Sequence, residues 1–314
     1  MKILKFLGLL ILLLVVLALG VLAWAFQTAN ARYNQHWTAH EATFPIPFPL
    51  DSTALAGGNP QATAEARAVE RGEHLVQSRL GCMGCHAADF GGGVIIDLPP
   101  VGYWAAPNLT SGRGSVTNGF SAHDWDLAVR HGIRHTGTSS SMPCREFEGL
   151  SDHELSDVVA YITSRPPVDR IIAPVRLGPV FALMTATDPN ALPAFTIDHQ
   201  AAHAVEPPPA EVSLEFGGHL IESCRGCHNP KLSGGKMQGD PNMPIVANLT
   251  PDATGLKNWT EADFMRAMRE GRRPDGSAIA EAMPWKAFAR MTDVELRALW
   301  LYLRSVPAVP KGAH

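Results

Sequence analysis

The chain has 314 residues, room for two domains with extensions, and a net charge of -4 at pH 7. Lys and Arg are scattered without a basic stripe and the aromatic content is an ordinary 7%, which excludes an electrostatic nucleic-acid platform. Only five cysteines are present, and their placement says more than any bulk property.

After Lys2 and Lys5 an uncharged apolar run of 21 residues extends from Phe6 to Phe26, long enough to cross a bilayer as a helix. A cleavable signal peptide is the competing reading, with Ala29-Asn30-Ala31 as the small-residue site, but its apolar region would be too long and the site lies well beyond it. The expectation is a retained anchor over 1–26. The lysines precede the span and few positive charges follow it closely, so the N-terminus stays cytoplasmic and the body is exported. Trp24, Tyr33 and Trp37 lie near the outer end, suiting an interfacial belt. Residues 27–60, with Phe44-Pro45-Ile46-Pro47-Phe48-Pro49, read as a periplasmic stalk.

Two pentapeptides follow, Cys82-Met83-Gly84-Cys85-His86 and Cys224-Arg225-Gly226-Cys227-His228. Their spacing is that of covalent haem c attachment: two thiols one helical turn apart add to the vinyl groups while the adjacent imidazole binds iron. A shared zinc site is disfavoured because four of the five cysteines are used by motifs some 140 residues apart. A dithiol oxidoreductase is disfavoured by the Gly-rich sequences after each motif, Gly91-Gly92-Gly93 and Gly234-Gly235. Two covalently bound haem c groups are therefore expected. Export agrees with them, since such haem is attached on the outer side of the bacterial inner membrane.

Self-comparison gives the domain organisation. Gly72-Glu73-His74-Leu75-Val76 leads into the first motif and Gly217-Gly218-His219-Leu220-Ile221 into the second; Pro107-Asn108-Leu109-Thr110 matches Ala247-Asn248-Leu249-Thr250. Helix starts then recur in register, at Ser121 and Thr260 and again at Ser151 and Thr292, each with an acidic residue three positions on. That is the capping-box pattern. The predicted domains are 61–168 and 213–314, joined by a Pro-rich linker over 169–212 whose prolines argue against helix or ladder. No strand pattern is convincing. The Asn-Leu-Thr triplets also match a glycosylation acceptor, read here as coincidence.

His86 and His228 are the expected proximal iron ligands, each oriented by a hydrogen bond from its other ring nitrogen to a backbone carbonyl. Met142 lies 60 residues after Cys82 and Met283 lies 59 after Cys224; both precede proline, and their shared register outweighs a core-filling role. They are the expected distal ligands. Met243 precedes proline too, but has no counterpart in the first repeat. His131 and His135 have none in the second and read as surface or propionate-side residues. Cys144 faces Trp285 in the comparison, which suggests packing, though a thiolate could compete for iron.

Asn248-Leu249-Thr250-Pro251-Asp252, Thr254-Gly255, Trp259-Thr260, Asp275-Gly276 and Ala282-Met283-Pro284-Trp285, with Leu192-Pro193-Ala194 and Ile197-Asp198-His199, resemble the membrane-anchored dihaem cytochromes c whose relatives are cytochrome subunits of periplasmic quinoprotein and flavoprotein dehydrogenases. The resemblance covers roughly residues 65 to 308 and implies an all-α chain, a transmembrane helix followed by two class I cytochrome c folds. Some subunits of that group hold three haems, so subunit identity does not carry over. The implied function is electron relay, without independent catalysis, between redox partners such as a dehydrogenase subunit, a quinol-oxidising complex or a terminal oxidase. The alternatives are a dihaem peroxidase or thiosulfate-oxidising enzyme with one open or Cys-ligated iron, and a mainly structural tether.

Overall fold

The computed structural model describes residues 2–50, 59–236 and 243–313. The chain is largely helical and opens with α1 (Lys2–Tyr33), whose apolar side chains are exposed over most of its length. A helix with no polar face has no soluble core to bury against, and its length and composition suit a bilayer. It runs seven residues past Phe26, so the start of the predicted stalk is helix.

By internal packing the chain divides into two compact units, each assembled from separated stretches. The first comprises 1–41, 85–144 and 167–201. There the last turns of α1 bury Ala25 and Ala29 against Ala182 and Ala186 of α6 (Pro179–Thr187). Four small side chains let the two backbones approach closely. Trp37, beyond α1, donates its indole N–H to Ser139 Oγ at 2.9 Å and meets the Phe195 ring edge-on. A small antiparallel sheet lies in the same unit: β1 (Gly93–Leu98) pairs with β2 (Gly102–Ala106), and β2 with β3 (Arg176–Leu177).

The sheet corrects the expectation of an all-α chain without strands. β1 alternates no polar with apolar positions, carries a bulge between Val94 and Ile96, and lies between a Gly-rich loop and Pro99-Pro100, so period-2 reading fails on it. α6 and β3 likewise correct the reading of 169–212 as free of helix and ladder. Pro179 occupies the first turn of α6, where a missing N–H costs nothing, and the next eight residues contain no proline.

The second unit comprises 42–84, 145–166 and 202–314. α2 (Pro60–Leu75) starts at an Asn59 cap, runs into one π-turn at Val76–Leu80 and stops at Gly81 in the left-handed conformation. It packs on α5 (Asp152–Thr163) so closely that a Cβ on Gly72 would sit 1.9 Å from Asp157 O, and beside that contact Arg71 grips the Asp157 carboxylate through two bonds of 2.6 and 2.7 Å. In the second repeat α7 (Leu214–Leu220) packs on α11 (Asp293–Ser305), and a Cβ on Gly217 would sit 2.2 Å from Ala298 O. The apolar core there is built from Phe216, Leu220, Phe264, Phe288, Leu296 and Leu303 among others.

All four anticipated capping boxes are present, on α4 (Ala122–Val129) from Ser121, on α5 from Ser151, on α9 (Glu261–Glu270) from Thr260 and on α11 from Thr292. Across the first of them Phe120 meets the Trp125 ring edge-to-face at 5.6 Å.

Candidate haem sites

The first motif runs from Cys82, just before α3 (Met83–His86), to His86 at its end, and the second lies within α8 (Glu222–His228). The helix places Cys and Cys three residues apart on one side and brings His to its C-terminal end. His86 and His228 are both buried, and each is fixed by its Nδ1: to Pro107 O at 3.0 Å and to Ala247 O at 2.8 Å. These carbonyls occupy the same position in the two repeats. An Nδ1–H that donates to a carbonyl leaves the lone pair on Nε2, the atom a proximal ligand presents to iron. Burial pulls the basicity of both imidazoles down, against the opposing pull of the carbonyl bond, which favours the neutral ring that a metal requires.

The loop that supplies the carbonyl is held by the Asn-Leu-Thr triplet. Asn108 Oδ1 accepts from Thr110 N and Thr110 Oγ1 at 2.9 and 2.8 Å, while its Nδ2 donates to Val168 O at 2.7 Å. Asn248 does the same with Thr250 N and Oγ1, both at 2.9 Å, and with Val309 O at 2.7 Å. Both amides are buried, so the triplet is a loop clamp and not a glycan acceptor. The match to a glycosylation acceptor is thus a coincidence, and the recurrence belongs to the repeat.

Closely spaced backbone completes each cradle. Gly92 N donates to His86 O and Gly234 N to His228 O, both at 3.0 Å, and both glycines adopt positive φ. A Cβ at Gly92 would lie 2.5 Å from Ala106 O and one at Gly234 2.2 Å from Ala247 O. Substitution there would displace the very carbonyl segment that holds the imidazole.

The methionines lie on matching loops. Cys144 N donates to Met142 O and Trp285 N to Met283 O, both at 2.8 Å; upstream, Ser140 N donates to Gly132 O and Ile279 N to Gly271 O, both at 2.7 Å. Between those anchors the second loop is two residues longer. Met283 is half-buried and packs on the same apolar cluster as Cys224, which brings together two of the residues singled out from sequence. Met142 is half-buried too, in the unit that holds His86. Met243 is also half-buried, without a counterpart loop.

Cys144 is buried, donates its thiol to Ala128 O at 3.2 Å and lies beside Gly132; Trp285 occupies the corresponding place against Gly271. A packing role accounts for both. The surface reading of His131 is corrected, because the ring is fully buried between α4 and the 194–199 loop, whereas His135 is exposed.

Sequence reasoning missed a reciprocal pairing inside the second unit. Glu154 caps α5 with Oε2 and uses Oε1 to accept from Arg79 Nη1 at 2.9 Å and to meet His219 Nε2 at 2.8 Å. Glu295, its counterpart on α11, caps with Oε2 and meets His74 Nε2 at 2.9 to 3.0 Å. His74 and His219 are themselves counterparts, so each repeat's approach helix reaches the last helix of the other. Burial alone would raise the Glu154 carboxyl, but the His219 bond and the Arg79 charge together hold it at about 2.

The family described as cytochrome c oxidase, cbb3-type, subunit III matches residues 67–162, less than a third of the chain. Among characterised proteins, the chain is 25% identical over 280 residues to the cytochrome c subunit of a quinone-dependent alcohol dehydrogenase from Gluconobacter oxydans, covering 80% of this chain and 57% of that one. It is 24% identical to the cytochrome subunit of fructose dehydrogenase from Gluconobacter japonicus, covering 83% and 60%. A dihaem c-type cytochrome from Cereibacter sphaeroides is 26% identical over 291 residues, covering 84% of this chain and 92% of the relative. The chain thus spans a little over half the length of the dehydrogenase subunits and nearly all of the dihaem protein. It carries a cytochrome c-type domain, and its relatives are cytochrome c subunits of dehydrogenases.

Proposed function

We propose that this chain is a membrane-tethered dihaem cytochrome c that relays electrons from a dehydrogenase to a downstream acceptor in the periplasm. The observation that carries the reading is the pair of buried imidazoles, His86 and His228, each with Nδ1 on the same carbonyl of its repeat and Nε2 left for iron. Thioethers to Cys82 and Cys85 in one repeat and to Cys224 and Cys227 in the other would hold the two haems, with Met142 and Met283 as sixth ligands. The domains are 61–168 and 213–314. Bound haem supplies one-electron chemistry, and soft thioether ligation raises its potential.

The retained anchor is supported by the packing of Ala25 and Ala29 on α6, which cleavage after Ala31 would remove from the chain. The partner assignment follows the dehydrogenase subunits among the relatives. A Cys-ligated iron finds no support, since the Cys144 thiol is committed to Ala128 O. The test is carbon monoxide binding by the reduced, purified protein together with its charge-transfer spectrum. Two thioether-to-iron bands and no rapid carbon monoxide adduct are expected. Rapid binding at either haem in wild-type protein would replace the relay with an enzymatic reading.

A further inference from the structure

Remote from the haem motifs in sequence, the first unit buries a chain of hydrogen bonds that runs through two imidazoles. His199 Nε2 lies 2.8 Å from Ala194 O, His199 Nδ1 lies 3.1 Å from His131 Nδ1, and His131 Nε2 lies 3.3 Å from Asp126 Oδ2. The carbonyl can only accept, so the proton of His199 resides on Nε2 and its Nδ1 offers a lone pair. His131 must then donate from Nδ1, which turns its Nε2 lone pair toward the Asp126 carboxylate. There are three gaps, and two neutral imidazoles supply two protons. The third gap sets that lone pair 3.3 Å from a carboxylate oxygen, an arrangement that a metal cation or an added proton would fit.

A third donor converges on the same place. His40 N donates to His199 O at 2.9 Å and His40 Nδ1 lies 3.4 Å from that oxygen, so this ring too carries its proton on Nδ1 and presents Nε2. The ligand atoms of His40, Asp126 and His131 all lie within 4.8 Å of one another. A tetrahedral ion with bonds of about 2.0–2.1 Å needs donors about 3.3 Å apart, so a modest side-chain closure suffices. The outer contacts already exist: Arg130 Nε donates to Asp126 Oδ1 at 2.6 Å, and His199 orients both histidines, one through its ring and one through its carbonyl. Imidazoles whose second nitrogen is engaged, beside a carboxylate whose second oxygen is engaged, form the arrangement that surrounds a resident metal.

We propose that His40, Asp126 and His131 bind a divalent transition cation of the zinc type, separate from the haem irons, with His199 positioning the two imidazoles. The alternative filler of the third gap is a proton, making an imidazolium–carboxylate pair. Elemental analysis of the haem-loaded protein, purified without chelator from zinc-supplemented cells, separates them. Iron should match the haem count, with about one zinc per chain in addition, or one zinc taken up in equilibrium dialysis against Zn2+ alone. His40→Ala should abolish that zinc while leaving the pyridine haemochrome value unchanged, which controls for folding. His199→Asn should weaken Zn2+ binding about 10–100-fold without abolishing it. Absence of zinc both as purified and after dialysis would leave the proton as filler and overturn the proposal. Zinc binding undiminished in both His40→Ala and Asp126→Asn would place the ion elsewhere and overturn it equally.

Discussion

The Met283 thioether is one group of atoms whose removal should be visible at one iron alone. Under the proposed ligation, Met283→Ala would remove a soft donor that favours ferrous iron, so the potential of the second haem should fall while the first is unchanged, and reduced protein should bind carbon monoxide at one haem. Spectroelectrochemical titration checks both statements. Glu154 makes a second prediction at this scale. Its carboxyl sits near 2 in the folded chain against an ordinary 4.5, a depressed value, so the stability it supplies is fully present above pH 4.5 and is lost as pH falls through about 2. The shift corresponds to something on the order of 3 kcal/mol. Glu154→Gln leaves Arg79 facing an uncharged partner in a buried site, so it should lower stability by about 3–5 kcal/mol at pH 7 and flatten the acid limb of the unfolding curve. Denaturant titrations at several pH values measure it.

Contacts between helices depend on two glycines where no side chain fits. Gly72 lets α2 meet α5 and Gly217 lets α7 meet α11, with room for neither a methyl group nor a lateral shift of the carbonyl opposite. Gly217→Ala should therefore cost about 3 kcal/mol and reduce haem incorporation in the second repeat before the first. Mass spectrometry of the expressed chain, counting haem adducts, distinguishes that from uniform misfolding. The same elements show how far periodicity reaches. Capping boxes were readable because a cap is a contact between residues three apart, decided within one turn. β1 escaped because a bulge interrupts its alternation, β3 because two residues paired to β2 across some seventy residues of chain leave no local trace, and α6 because prolines at its borders masked the Pro-free run between them.

For the whole molecule, the anchor and the haem count are the testable quantities. N-terminal sequencing of protein extracted from membranes should begin at or near Met1, and replacing residues 2–26 by a cleavable signal should release a soluble protein that retains both haems. A mature N-terminus near Arg32 would sink the anchor, and with it the packing of α1 on α6. Pyridine haemochrome should give two haems per chain, and Cys82→Ala with Cys85→Ala should leave one.

The two motifs and the helix caps were legible in the sequence because each is a pattern confined to a few residues, and because duplication printed the same spacing twice. The Asn-Leu-Thr triplets were visible as a repeat, yet their purpose depends on Val168 and Val309, some sixty residues downstream. The reciprocal His74–Glu295 and His219–Glu154 pairs, and the convergence of His40, Asp126 and His131, join residues from remote stretches of chain. Only folding decides such partners: a buried charge or lone pair must be matched by whatever the tertiary packing sets beside it, and no local pattern encodes that neighbour.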